Sequence, residues 1–539
     1  MQTSVLVAGG GPVGLVLAMD LAQRGVAVTV VESRAPKQAP SPKCNHVAAR
    51  SMEFFRRLGI AEAVRDAGLP HDHPHDVCFR TSVAGRELSR IPIPARALRG
   101  KAGGPDTQWP TPEPPHRINQ IFLEPLLQDC ALATPGVTLL HQTELVEFTQ
   151  DESGVTATLR DLTTQETLTI HAAYLVGCDG GRSMVRRAIG GKMVGDAVVQ
   201  RVQSTYIRAP GLHALLQAER SWMTLTMSPR RCGNTIAING TDTFLVHNYF
   251  YAHETDFDAV DRDASLRELL GVGPDFDYEM LSNEDWIGRR LVADKLREGR
   301  VFLAGDSAHI WVPYGGYGMN AGIGDAMGLS WLLAAHLNGW APAAILDAYA
   351  AERHPITEQV SHFAMGHAAK AIRQRAGIPA EIEDEGPAGD AARAKHGQEM
   401  YDLHVQQYCC GGLNFGYFYE NSPIIVADGQ APGYTIDSFE QSTVPGCRTP
   451  HIWLADGRSL YDALGAGFTL LRFDPALDAA PLLEAAAARG VPMTLLDLAP
   501  QAPYAHGLVL SRPDLHVAWR GDSPPADPMA LVDRIRGAA

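Results

Sequence analysis

Gly9, Gly11 and Gly14, with Glu32 further on, have the types and spacing to hold a pyrophosphate and a ribose. They lie in TSVLVAGGGPVGLVLAMDLAQRGVAVTVVE, residues 3–32. Gly9 permits a tight turn, Gly11 lets a pyrophosphate approach bare backbone, and Gly14 allows a helix to pack closely on a strand. Pro12 opens that helix, whose first N–H groups offer partial positive charge to a phosphate. Glu32, flanked by Ser33 and Arg34, has the carboxylate to accept hydrogen bonds from ribose hydroxyls. The elements that must position these groups follow from the pattern. Val5, Leu6 and Val7 form a short apolar strand. Leu15, Leu17, Ala18, Leu21 and Ala22 share one helical face ending near Gly25, and residues 26–31 form a second buried strand that delivers Glu32 at its end. Strand, turn, helix, strand and acid stand in the order of a dinucleotide-binding fold, which leaves NAD and FAD both open.

Two further turns repeat this grammar. YLVGCDGGRSMVRRAIG, residues 174–190, runs a strand into Asp179-Gly180 and then opens a helix at Ser183 and Arg186. Alone, that is a strand-to-helix turn with a capping residue. VFLAGDSAHIWVPYGGYGMNAGIGDAMGLSWLL, residues 301–333, has a strand over 301–303, then Gly305-Asp306, a glycine-laden loop, and an amphipathic helix expected from about Met319. Glycines there let main chain pass against a flat ring where a side chain would collide. A buried aspartate beside an apolar strand needs a partner, and a polyol hydroxyl would serve Asp306.

With all three turns in order, the chain resembles the FAD-dependent aromatic hydroxylases of the p-hydroxybenzoate hydroxylase type, the class A flavoprotein monooxygenases. The likeness rests on Gly9-x-Gly11-x-x-Gly14, on Asp179-Gly180-x-x-Ser183-x-x-Arg186, and on Gly305-Asp306-x-Ala308-His309 followed by Pro313-x-Gly315-Gly316-x-Gly318-Met319-Asn320. DAYAAERHP at 347–355 and RINQIFLEPLL at 117–127 also match the family, the latter placing Gln120 near the flavin. The sequence departs from the family at Val312, Tyr317, Gly328 and Leu332, and Lys43 takes the place of an arginine that commonly helps hold a movable flavin. From about residue 430 the chain resembles the thioredoxin-like C-terminal domain of the larger phenol and polyketide hydroxylases. The redox cysteine pair is missing, since Cys447 stands alone, so a packing or dimerisation role is expected.

The resemblance implies an α/β architecture. Its parts are a Rossmann-like FAD-binding domain over residues 1–75, 111–190 and 291–375, and an interleaved β-sheet substrate domain over 76–110 and 191–290. A helical connector over 376–430 and a thioredoxin-like domain over 431–539 complete it. It also implies FAD as cofactor, held by the three turns together with Lys43, Arg50 and Gln120. Asp306 would take a ribityl hydroxyl, and the N–H groups around Gly316, Gly318, Met319 and Asn320 would point at the pyrimidine end of the flavin. Pro313 would present its carbonyl near the reacting edge. The implied reaction is hydroxylation of a phenolic or other electron-rich ring by NAD(P)H and O2 through a flavin C4a-hydroperoxide. Epoxidation or Baeyer–Villiger insertion on a polyketide-like ring and a non-catalytic flavoprotein are the alternatives. A flavin halogenase would need a W-x-W-x-I-P signature, which the sequence lacks.

Substrate contacts are expected from the middle of the chain, where WMTLTM, GNTIAI and TFLVHNYFYAH alternate like antiparallel strands. Trp222, His247, Tyr249, Trp286 and Tyr314 are the candidates to face the ring, with His247 or Tyr249 assisting its deprotonation. His309 reads as a polar partner of the glycine loop rather than a base.

Bulk properties narrow the field. A chain of 539 residues exceeds one hydrophobic core, so several domains are expected. A net charge of −15 argues against nucleic acid and anionic membranes as partners. None of the eight cysteines forms a C-x-x-C pair, and HDHPHD at 71–76 reads as an exposed loop, so no metal site is expected. No apolar run approaches the ~20 residues that span a bilayer. A cytoplasmic enzyme that forms a homodimer is the resulting expectation.

Overall fold

In the computed structural model the chain is described over residues 1–99, 103–216 and 219–539, so parts of the expected segments 76–110 and 191–290 lie outside the described residues. The strand Gln2–Ala8 is flanked by parallel neighbours on both sides, Val28–Val31 and Thr167–Gly177. Val301–Leu303 and Val137–Leu140 extend this parallel core, and two antiparallel strands, Thr143–Gln150 and Val155–Asp161, branch from it. Parallel strands buried on both faces read as continuous apolar runs, which is why VLVA, VTVV and VFL are uninterrupted. The helix Pro12–Gln23 covers this sheet and packs against Gln120–Ala133 and Tyr317–Leu337.

Tyr317–Leu337 starts two residues earlier than expected and is not amphipathic. It is buried along nearly its whole length, because the sheet lies on one side and the C-terminal domain on the other.

A second eight-stranded sheet runs in the order His309–Trp311, Glu279–Ala293, Met193–Arg208, Thr243–Tyr249, Cys232–Ala237, Met223–Met227, Val77–Arg80 and Glu87–Ile91. Its first strand comes from the segment expected to belong wholly to the FAD-binding domain. The segment after Gly305-Asp306 is therefore tied by backbone pairing to the second sheet. Side chains alternate across a strand, so His247 and Tyr249 share one face, as do Asn234 and Ile236 on the neighbouring strand.

The helix Asp347–Ala376 leads to Gly386–Tyr408, which occupies the expected connector. Beyond it, Phe468–Arg472, the helix Ala480–Ala488 and Met493–Asp497 make a parallel strand–helix–strand unit. A hairpin, Leu508–Ser511 with Val517–Gly521, and the helix Pro528–Ile535 complete a thioredoxin-like domain. It shares its core with the first domain: Phe468 packs edge-on against Trp331 and Trp340. Buried ion pairs join them too. Arg448 reaches Glu53, and Arg512 donates to Glu352 Oε2 at 2.8 Å. No described helix is long and apolar enough to cross a membrane.

Candidate active site

The three turns meet at the C-terminal ends of the parallel strands, and their own side chains lock them together. Gly9 has φ +109°, and a Cβ there would sit 2.2 Å from the Cys178 carbonyl oxygen, so only glycine brings the first turn against the second. Asp179 caps the helix Met184–Ala188 with Oδ2, which accepts the N–H groups of Met184 and Val185 at 2.7 and 3.1 Å; its buried Oδ1 has no partner. Ser183 accepts the Arg186 N–H at 2.9 Å. The Arg186 guanidinium then bridges the Ser307 and Gly181 carbonyls at 2.8 and 2.9 Å, binding the second turn to the third.

The third turn is fixed from below by Asp325, which the sequence analysis did not single out. Its Oδ2 accepts from Gly305 N at 3.1 Å and pairs with His309 Nε2 at 2.7 Å, while Oδ1 accepts from Arg353 Nε at 2.9 Å. Burial alone would raise the Asp325 carboxyl, but His309 and Arg353 outweigh it and hold it below the usual range. His309 is thus a scaffold for the Gly305–Asp306 turn. Asn320 has a comparable part: its Oδ1 accepts from Ala48 N and Ser51 Oγ, both at 2.8 Å, and its Nδ2 donates to the His46 and Gly316 carbonyls. The side chain ties the helix start to residues 46–51 and does not line the cleft.

Between these turns and the second sheet lies a cleft of about 480 Å³. Gly11, Pro12, Lys43, Gln120, Gly180, Asp306, Gly316, Gly318 and Met319 line it, Trp222, His247, Tyr249 and Trp286 come from the second sheet and its approach, and Pro313 and Tyr314 belong to the glycine loop. Two helices open onto it without a side-chain cap, at Gly11 and at Gly316. Added Cβ atoms at Gly11 or Gly318 would meet no protein atom within 4 Å, so bare backbone faces the cleft at both helix starts. Asp306 is exposed into the cleft rather than buried. The enclosing protein nevertheless raises its carboxyl, an effect opposed by His309 and Lys43. Open backbone at two positively polarised helix ends, and an unshared carboxylate between them, fit a long ligand with phosphates and hydroxyls.

Several expected residues stand differently. Arg50 lies outside the cleft, buried with Nη1 on Glu53 Oε2 at 3.0 Å and Nη2 on the Asp514 carbonyl at 2.8 Å; as a bolt to the C-terminal domain, it cannot reach a cofactor. Glu32 is buried and already accepts from Gly10 N and Arg34 N, both at 2.9 Å, and from Arg34 Nε at 3.0 Å, while Ser33 is exposed. Lys43 makes an exposed pair with Glu284 at 2.8 Å, and Gln120 donates to Glu124. The Pro313 carbonyl accepts the Gly316 N–H at 3.1 Å within its own turn. His73 and His75, expected on an exposed loop, are buried, and no metal-holding cluster occurs among the described residues.

The expected bases are unsuited to that role. Burial lowers His247 to about 4, and it raises the Tyr249 phenol above its ordinary value. A base is most effective when its pKa lies near the working pH, so both act at neutral pH as uncharged hydrogen-bonding groups. Tyr249 accepts from Asn234 Nδ2 at 2.9 Å, and His247 stands edge-on to Trp286 with ring centres 5.8 Å apart. Sequence reasoning missed Arg117, Gln200 and Asn234, which also line this wall. Gln200 and Asn234 sit in segments without a motif, where only strand register brings them here, and Arg117 opens the RINQIFLEPLL stretch, whose likeness pointed to Gln120 alone.

A dinucleotide-type cradle facing an aromatic-walled chamber across one cleft defines a flavoprotein oxidoreductase that acts on ring compounds. Comparison with known proteins makes this specific. Residues 2–364 match the family described as FAD binding domain, and residues 442–539 match the family described as aromatic-ring hydroxylase, C-terminal. The chain belongs to the FAD-dependent aromatic monooxygenases. It is 32% identical to the tetracenomycin B2 monooxygenase-dioxygenase of Streptomyces olivaceus, over 99% of this chain and 98% of that protein. It is 29% identical to a phenol 2-monooxygenase of a Pseudomonas species, over 100% and 93% respectively. Among solved structures, the rebeccamycin biosynthetic enzyme RebC with reduced flavin superposes with a TM-score of 0.91 at 35% identity, covering 100% of this chain and 99% of that one. The cofactor is FAD, and the co-substrates are O2 and a reduced pyridine nucleotide.

Proposed function

We propose that this protein hydroxylates an electron-rich aromatic compound lying flat between the glycine loop at 313–319 and the second sheet. FAD, when bound, supplies the electron transfer and oxygen activation. The protein's part is to hold, orient and exclude water. Uncapped backbone N–H groups at Gly11 and Val13 would receive the pyrophosphate, with Pro12 fixing the helix start, Gly9 and Gly14 shaping the turn and Asp179 and Gly180 closing it. Glu32, held by Gly10 N and Arg34, would meet the ribose only beyond those contacts, and Asp306, which is open to the cleft, would take a hydroxyl of the ribityl chain. The free N–H groups of Gly318 and Met319 face the pyrimidine end, where a fixed dipole favours negative charge without a titrating side chain. Lys43 and Gln120 flank the ring system. On the opposite wall, Trp222, Trp286 and Tyr249 offer flat or edge-on contacts to an aromatic ring and His247 a neutral polar one, and Tyr314 adds its ring from the glycine loop.

The single observation that carries this reading is that one cleft is lined on one side by two bare helix starts and on the other by aromatic side chains. The names of the relatives, a phenol monooxygenase and a tetracenomycin B2 monooxygenase-dioxygenase, support a phenolic ring as the class attacked. The test follows NADH and NADPH oxidation by the yellow protein across phenols, catechols and polycyclic polyketides, with product analysis. Stimulated oxidation with a hydroxylated product from at least one ring supports the proposal. Oxidation that no ring stimulates, or that yields only peroxide, defeats it.

A further inference from the structure

A second, smaller cavity, of about 20 Å³, lies beneath the start of Tyr317–Leu337 and shares no lining residue with the cleft. Three helices meet around it, Ala49–Arg57, Tyr317–Leu337 and Asp347–Ala376, and Tyr417 completes the lining. Most of that lining is apolar, yet Arg50, Arg353 and Thr357 belong to it, each at most 5% exposed. Each also has one buried atom that no protein group among the described residues meets: Arg50 Nε, Arg353 Nη1 and Thr357 Oγ1. A buried polar atom left unpaired carries its full desolvation penalty. Three around one small space are therefore costly unless something bonds to them.

Volume and charge define the guest. One water needs roughly 10–15 Å³ and two to four polar partners, which this space and these atoms supply. The guanidiniums need no further counter-charge, since Arg50 has Glu53 and Arg353 has Asp325. In the wider buried network Arg448 shares Glu53, and Arg512 pairs with both Glu352 and Asp514. Arg50, Arg353, Arg448 and Arg512 are thus matched in number by Glu53, Asp325, Glu352 and Asp514. A halide would bring an unbalanced charge into this interior, whereas a neutral guest brings none.

The position of the cavity gives it a consequence. Arg50 bolts the first domain to the C-terminal one, its Nη2 donating to the Asp514 carbonyl at 2.8 Å. Arg353 donates to Asp325 at 2.9 Å, and Asp325 accepts from Gly305 N at 3.1 Å, in the turn that carries Asp306. We propose that the cavity binds one structural water, which accepts from Arg50 Nε and Arg353 Nη1 and donates to Thr357 Oγ1. This water couples the C-terminal domain to the anchor of the Gly305–Asp306 turn, whatever the cleft oxidises. Thr357 is then a positioning residue, because it acts through the water and Arg353.

The test uses crystals of the FAD-loaded enzyme, grown with and without sodium bromide, and the variants Thr357→Val and Thr357→Ser. Wild type should show one oxygen-sized density peak about 2.7–3.2 Å from all three atoms, with no anomalous bromine signal there. Thr357→Val, nearly the same shape without the hydroxyl, should lose the peak, and its unfolding constant in urea should rise roughly two- to tenfold. It should also lose FAD several-fold faster on dialysis, and Thr357→Ser, which keeps the hydroxyl, should restore both the peak and FAD retention. A dry cavity requires the opposite sign, since deleting an unpaired buried hydroxyl stabilises. A wild-type cavity without density, a bromide peak in it, a peak that survives in Thr357→Val, or a Thr357→Val protein that unfolds later than wild type overturns the water site. The wild-type density decides the site even where a variant fails to fold. A Thr357→Val protein that lacks the peak and keeps FAD as wild type does overturns the coupling. Each of these failures leaves the hydroxylase reading standing, because no cleft residue is altered.

Discussion

Gly11→Ala and Gly14→Ala should act in opposite directions on the cofactor-free protein, although they lie three positions apart. At Gly14 an added Cβ would sit 2.1 Å from the Gly9 carbonyl oxygen and 3.2 Å from a Val7 methyl. Backbone cannot swing aside like a side chain, so the helix must lift from the strand, and overpacking of this kind costs typically 1–3 kcal/mol or more. At Gly11 the same methyl meets nothing within 4 Å, and φ −78° with ψ −178° suits any L-residue. Replacing glycine where the backbone is already compatible removes unfolded-state freedom and stabilises by roughly 0.4–1 kcal/mol. In the flavin-loaded enzyme the order changes, because the open space at Gly11 is where the pyrophosphate is proposed to lie. Loss of about 1.4 kcal/mol of binding already means a tenfold weaker complex, and the ligand's contribution to stability falls with it. The assay is urea unfolding of both variants with and without FAD, alongside FAD content by absorbance. Gly11→Ala should unfold no earlier than wild type without FAD, yet retain little FAD after gel filtration. Gly14→Ala should unfold earlier in both states. A Gly11→Ala protein that keeps full FAD, or that is destabilised without FAD as much as Gly14→Ala, refutes the assignment of that space.

Asp306→Ala should weaken FAD about 10- to 100-fold, as expected for one charge-assisted hydrogen bond, and a dialysed variant that stays fully yellow would remove Asp306 from the cofactor site. Glu53→Gln should lower unfolding free energy by about 3–5 kcal/mol, because Arg50 and Arg448 would both be left buried beside a neutral amide; a loss under about 0.5 kcal/mol by urea denaturation would show the network to be dispensable. Stability should also fall on acidification. Burial depresses His247 to about 4, and His75 and His404 to about 3. The unfolded chain takes up protons below the ordinary value of 6.5 that the folded protein refuses. Stability is therefore complete above 6.5 and declines by about 1.4 kcal/mol per pH unit per histidine toward 4. Equal or greater stability at pH 5.5 than at pH 7.5 would contradict this.

The cofactor half of the site was legible because it is built locally. Each turn joins a strand to the helix that follows it, so Gly9, Gly11, Asp179 and Asp306 announce themselves by the apolar runs beside them. Even there, local reading stopped at the backbone. It could not assign Asn320 to residues 46–51, nor tell that Arg50 points toward the Asp514 carbonyl, since those partners lie 272 and 464 residues away along the chain. His247 and Tyr249 were accessible to reasoning because alternation puts both on one face. Their protonation was not, since burial, a property of the assembled fold, decides it.

The substrate half is illegible for a different reason. Gln200, Asn234, Tyr314 and Arg375 come from two strands of one sheet, the glycine loop and the far end of a 30-residue helix, and none has a neighbour in sequence that explains it. Arg375 lies beside Arg373 in a charged stretch that reads as a solvated helix end. Only packing shows that one of these arginines is turned inward. The two halves also differ in how their charges are balanced. At the turns, Arg353 balances Asp325, which also holds His309 and the Gly305 N–H and so fixes the backbone before any ligand arrives. At the Tyr314 corner the cation is met by neutral groups instead: Arg375 donates to the Tyr314 hydroxyl at 3.0 Å and to Gln200 Oε1 at 2.7 Å, so polar side chains from the glycine loop and the second sheet take the place of a carboxylate.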